Sequence, residues 1–254
     1  MSHPLVVMAI VLTCIFTGAA VGMRLHGLLP KDDLVGASAD VIKLAMGLLA
    51  TVLALVLSLL ISSANSTRST VETEYRQSLS DVGMLDRNLA NYGVETEEAR
   101  RFMRDALVRR FAAVWPSENF GAVPPAAAGE LPVEGLQRRL LQLSPGTDVQ
   151  KWFLQQSLAT TTSLAQLHWL LLGQEAGTTL PVPLLLVVTF WSTTLFVGFG
   201  LFCRPNRTVV AALFIAALTV SSAVFLIADL NRPFTGLVQI SSRPAHALLE
   251  LLGK

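Results

Sequence analysis

VIKLAMGLLATVLALVLSLLISSAN, residues 41–65, decides the fold. As a helix rising about 1.5 Å per residue, it is long enough to cross a hydrocarbon layer of roughly 30 Å. No charge interrupts it between Lys43 and Arg68. It is also patterned. Gly47, Thr51, Ala54, Ser58, Ser62 and Asn65 follow one another at steps of three or four, which gathers six small or polar side chains on one helical face. Leu, Val and Ile cover most of the remainder, so lipid suits one side and something other than lipid faces the stripe.

Three further apolar runs stand around this one, at residues 5–23, 181–202 and 208–230. The first is long and has nothing basic ahead of it but the terminal amine, so it reads as a retained span rather than a cleaved leader. Cys203-Arg204-Pro205-Asn206-Arg207 joins the last two and is short enough only for a tight antiparallel hairpin. Only 15% of the residues are charged, against about 25% in soluble domains. The expected fold is therefore all-α: an integral membrane protein with four transmembrane helices, the second at about 41–64. A helical extramembrane region, about 66–180, is inserted between the second and third, and a tail over 231–254 closes the chain.

Within that region Val71, Tyr75, Leu79, Val82, Leu85, Leu89 and Tyr92 recur at helical spacing. The central helix should run on to Asn91 and bury this face against a neighbouring subunit. Gly93 fits a helix end. Thr96 is placed to cap a second helix, with Glu97 and Glu98 in its first turn. Arg100, Arg101, Arg104, Arg109 and Arg110 then form either a solvated face or a basic patch near lipid headgroups. Residues 116–133, rich in Pro, Gly and Ala, read as an irregular, mobile loop. Ser144-Pro145 has the form of an N-cap followed by a first-turn proline. The helix after it should turn Val149, Trp152, Phe153, Gln156, Leu164, Leu167 and Leu171 inward.

The search for chemistry excludes more than it finds. A net charge of +1 implies no bulk attraction to nucleic acid. There is no phosphate-binding glycine loop, nucleophile elbow, HExxH or CxxC. His3, His26, His168 and His246 form no ligand pair, and Cys14 and Cys203 share no ligand spacing. No enzyme, cofactor or metal is expected. Asp81 and Asp86 lie off register for one face; Asp86, beside Arg87, reads as a helix-packing or inter-subunit group. No ionisable residue sits in mid-span, which argues against a coupled transporter. A passive pore needs only small side chains, hydroxyls and apolar constrictions. The stripe suits that, and it equally suits close packing of two membrane helices. Trp191 to Thr194 and Gly198 to Gly200 on the third span, and Ala212, Ala216, Thr219 and Ala223 on the fourth, read as packing surfaces.

Three blocks carry a family resemblance. They are Leu85-Asp86-Arg87 with Tyr92-Gly93 and Arg100; Gly198 to Phe202 with Pro205-Asn206; and Asp229-Leu230-Asn231-Arg232-Pro233-Phe234-Thr235-Gly236 running into Ile240-Ser241-Ser242. Together with Leu57 to Ala64 they resemble the bestrophin-like family of bacterial and plant membrane proteins. More remotely they resemble the bestrophin anion channels. Thr235 intervenes between Phe234 and Gly236, Val94 stands where the family often has proline, and no acidic run like the calcium clasp of animal bestrophins is present. The resemblance implies a homo-oligomer, a pentamer, around one axial path that Gly47, Thr51, Ala54, Ser58, Ser62 and Asn65 would line for a permeant anion. It gives Asp86, Arg87, Tyr92, Arg100, Asp229, Arg232, Pro233 and Phe234 structural or assembly roles. Pro233 should end the fourth span at Asn231 to Arg232 and free Phe234 to insert among helices of its own or an adjacent subunit.

The basic residues near the spans are nearly tied. Arg68, Arg76, Arg232 and Arg243 lie on one side; Arg24, Lys31, Arg204 and Arg207 lie on the other, with Lys43 at the boundary. The resemblance places the chain in a bacterial inner membrane, among its lipids, with the extramembrane region cytoplasmic.

Overall fold

The computed structural model describes residues 4–28, 36–121, 132–177, 182–203 and 206–252. Among them the chain is all-helical, without strands: α1 (Pro4–His26), α2 (Ala37–Tyr92), α3 (Glu97–Val114), α4 (Pro132–Leu141), α5 (Asp148–Gly177), α6 (Val182–Leu201), α7 (Arg207–Leu230) and α8 (Arg243–Leu251). Four of these, α1, α2, α6 and α7, are long and apolar enough to cross a membrane. The helical insert α3–α5 lies in sequence between α2 and α6. The chain divides into two compact units. One holds Met1–Arg68, Thr178–Arg232 and Gly236–Val238; the other holds Ser69–Gly177, Pro233–Thr235 and Gln239–Lys254.

In the first unit the backbones of α1 and α6 come into near contact, because glycines face glycines. A Cβ on Gly22 would overlap the carbonyl of Val197, one on Gly18 would lie 2.8 Å from the Thr193 Cγ2, and one on Gly200 would overlap the carbonyl of Ala19. Small residues allow this approach where water provides no hydrophobic drive between helices. Val11, Ile15, Ala19, Leu53, Val188, Leu195, Phe196, Leu213, Ala217 and Val224 form the core around it. Buried hydroxyls are satisfied within their own helices: Ser192 donates to the Val188 carbonyl at 2.8 Å and Ser221 to that of Ala217 at 2.8 Å. The fourth span departs from expectation. It buries Leu213, Ala217, Ser221 and Val224, while Ala212, Ala216 and Thr219 are exposed in the chain. The buried face mixes small and large side chains, and the small-residue face lies one helical step away.

The second unit is built on the lower half of α2. Val71, Tyr75, Leu79, Val82, Leu85, Leu89 and Tyr92 are all buried. Most of this face packs within the same chain, in one core with residues of α3, α4 and α8, and so is not the subunit contact that its pattern suggested. α2 ends at Tyr92 because Gly93 takes a φ of +139°, open to glycine. Thr96 does not cap α3. Its hydroxyl, 2.6 Å from the Leu89 carbonyl and 2.8 Å from that of Gly93, is turned back into the end of α2.

α4 is an addition to the expected elements; it is an amphipathic helix of nearly three turns that buries Leu136 and Leu140 and starts inside the expected loop, of which residues 122–131 lie outside the described part. α5 begins three residues later than Ser144-Pro145 suggested. Thr147 Oγ1 accepts from the Gln150 N–H at 3.2 Å, as an N-cap does, and Gln150 Oε1 accepts from the N–H of Gly146, one residue ahead of the cap, at 2.9 Å. The face of α5 also differs. Ser157 and Thr161 are fully buried, whereas Val149 and Trp152 are 64% and 58% exposed. Small hydroxylated residues let α5 approach its neighbour closely, and Thr161 satisfies its hydroxyl on the Ser157 carbonyl at 2.6 Å. Leu167 and Leu171 have side chains outside the described part.

Candidate pore-lining face

The stripe lies along the upper half of α2, a single helix without proline from Ala37 to Tyr92. Gly47, Thr51, Ala54, Ser58, Ser62 and Asn65 are all exposed in the chain. The 18 residue steps from Gly47 to Asn65 span about 27 Å. On one flank the neighbouring positions turn into the chain: Leu53 is 3% exposed and Ala64 4%, with Leu57, Leu60 and Ile61 packed in the same unit. The chain's own spans therefore pack on one aliphatic flank of α2 and leave the stripe uncovered, together with Leu48, Leu55 and Leu59 on its other flank, 66–68% exposed.

The stripe's hydroxyls differ chemically. Thr51 donates to the Gly47 carbonyl at 2.9 Å, which leaves only its lone pairs for a visitor. Ser58, Ser62 and Asn65 have no partner among the described residues, so their hydroxyl and amide hydrogens are free to turn toward an anion. No charge lies on the face itself.

Of the residues given assembly roles, Asp86 and Arg100 meet. Arg100 on α3 grips the Asp86 carboxylate with Nε and a terminal nitrogen at 2.7 and 2.9 Å. Their side chains are 11% and 19% exposed. This two-pronged pair holds α3 against α2, so Asp86 is a packing group within the chain. Arg87 is exposed, and Tyr92 is buried.

After α7 the chain leaves the helix at Asn231, as Pro233 requires. Asp229, 2% exposed, accepts from the Leu237 N–H at 2.9 Å and the Val238 N–H at 3.1 Å. A Cβ at Gly236 would lie 2.9 Å from that carboxylate, so glycine is needed there. The Arg232 carbonyl accepts from the Gly236 N–H at 3.0 Å, and that of Pro233 from the Ile240 N–H at 2.8 Å. Phe234 inserts within its own subunit, edge-on to Tyr75 and Trp115 at 6.1 and 5.8 Å between ring centres.

A third cluster escaped the sequence reading, because its members are more than a hundred residues apart. Glu118 accepts from the Ser242 hydroxyl at 2.7 Å and pairs with His246 Nε2 at 2.9 Å. The His246 ring stacks on Phe120 at 4.2 Å. The hydroxyl first, then the imidazole, hold the Glu118 carboxyl below its ordinary value. A carboxylate with a depressed pKa stabilises the folded state above the ordinary carboxylate range, and that contribution is lost as pH falls through the depressed value. We expect α8 amides to exchange faster in Glu118→Gln than in wild type at neutral pH, with the gap closing at acid pH. A gap independent of pH would remove the carboxylate from the docking of α8.

The bestrophin-like domain family matches residues 13–245 of this chain. Neither a curated protein nor a solved structure matches it.

Proposed function

Because the chain belongs to the bestrophin-like family, we propose that it assembles into a homo-oligomer, a pentamer, in the inner membrane and forms a passive anion pore lined by α2. The observation that carries this is the gathering of six small or polar residues, all exposed in the chain, on one face of a span whose other exposed positions beside it, Leu48, Leu55 and Leu59, suit lipid. A face of glycine, alanine and hydroxyls gains little from lipid contact. Around an axis it would give a narrow path with donors at Ser58, Ser62 and Asn65 and no charge to trap the ion. The chain acts by conduction rather than by covalent chemistry, and the extramembrane unit is placed in the cytoplasm.

Cysteine accessibility tests the reading, in a background where Cys14 and Cys203 are replaced. Cysteines at Thr51, Ala54, Ser58 and Ser62 should react with water-soluble thiol reagents, since thiolates form only where water reaches. Cysteines at Leu53 and Leu60 should not. Ala54→Trp should block the anion current of the purified protein in planar bilayers while leaving the oligomer intact. Equal inertness at all these sites in an intact oligomer would refute the pore. A second reading, a non-conducting scaffold that binds a partner, draws on the exposed Val149 and Trp152 of the extramembrane unit; silent bilayers with a stable oligomer would favour it.

A further inference from the structure

We propose that the groove between α1 and α7 is a binding site for an anionic phospholipid, with the headgroup phosphate on Arg207 and an acyl chain along Phe16 and Phe214. The groove, about 520 Å³, is lined by Phe16, Asn206, Arg207, Val210, Ala211 and Phe214.

Its polarity is graded along its length. Arg207 is the first residue of α7. Phe214 is seven residues further, about 10 Å along the helix axis. At that level Phe16 stands edge-on to Phe214, at 5.6 Å between ring centres. One end thus offers a guanidinium and the Asn206 amide, and the remainder offers only hydrocarbon.

Arg207 has no carboxylate partner among the described residues. An unpaired guanidinium at the end of an apolar span is matched by a phosphodiester, whose two free oxygens it can bond together. Water would satisfy the guanidinium but not Phe16 and Phe214; a hydrocarbon chain alone would satisfy the rings but not the charge. A phospholipid satisfies both, and one with net negative charge does so without bringing a second cation beside Arg207. The site stands apart from the α2 stripe and does not depend on whether the assembly conducts.

The test is native mass spectrometry of the full chain, released from nanodiscs with equal phosphatidylglycerol and phosphatidylcholine. Wild type should retain phosphatidylglycerol in preference. Arg207→Gln should lower that retention about fivefold, the effect of one basic residue near an anionic membrane surface. Ala211→Trp, which fills an exposed position in the groove and keeps the charge, should lower it as well. Arg243→Gln, a loss of the same charge on α8, should not. Inorganic phosphate should not displace the lipid, because it cannot occupy the aromatic end. Equal retention of the two lipids, wild-type retention in Arg207→Gln or Ala211→Trp, or displacement by phosphate would each overturn the assignment.

Discussion

Gly22→Ala is expected to destabilise the first unit by at least about 2 kcal/mol, although alanine is the better helix former by about 1 kcal/mol. Gly22 sits in α1 where a Cβ would overlap the Val197 carbonyl and come within 2.9 Å of the Val197 carbonyl carbon and 3.0 Å of the Leu201 nitrogen. All three are backbone atoms of α6, so no side-chain rotation can make room. The helices must separate, and separation uncovers Ile15, Ala19 and Phe196, each no more than 1% exposed. Gly47→Ala is the matched comparison. Nothing in the chain lies within 4 Å of a Cβ at Gly47, so within a single chain the change should be neutral or mildly stabilising. Unfolding in mixed micelles, followed by the far-ultraviolet helix signal, gives both values. A neutral Gly22→Ala would show that α1 and α6 do not approach this closely.

Asp86→Ala should cost about 3 kcal/mol, at the lower end of the range for breaking a buried ion pair, because Arg100 keeps some access to water. The carboxylate is held by two nitrogens of Arg100 at 2.7 and 2.9 Å, and removing it leaves a guanidinium in a site that is 19% exposed. Replacing both residues with leucine should cost far less than the sum of Asp86→Leu and Arg100→Leu made singly, since an apolar pair needs no desolvation of charge. Denaturant unfolding of the four proteins of this cycle measures the coupling. A single-residue loss under about 1 kcal/mol would make the pair a surface ornament. In that case α3 would be held by its apolar residues, Ala99, Met103, Val108 and Phe111 among them.

Local chemistry made the helices legible. Uncharged runs of spanning length marked α1, α2, α6 and α7, and a seven-residue pattern from Val71 to Tyr92 carried α2 well beyond the membrane segment. The N-cap Thr147, with Gln150 three residues on, was also present in the sequence, hidden only by the stronger-looking Ser144-Pro145. The stripe on α2 could be written down as six residues on one face, because helical geometry depends on spacing alone. Tertiary structure decided which way each face turns. Periodicity gives a face but not its partner, so the Val71 to Tyr92 face was assigned to a neighbouring subunit and is filled mostly from the same chain. The α5 face was likewise assigned to its aromatics and falls on Ser157 and Thr161. Small residues win such positions where backbones come close, and closeness is a property of two helices, not of one. For the same reason Asp86 with Arg100, Asp229 with the 237–238 amides, and Glu118 with His246 became visible only when the chain was folded: a hydrogen bond needs two groups within about 3 Å, and no rule of spacing joins residues 128 apart.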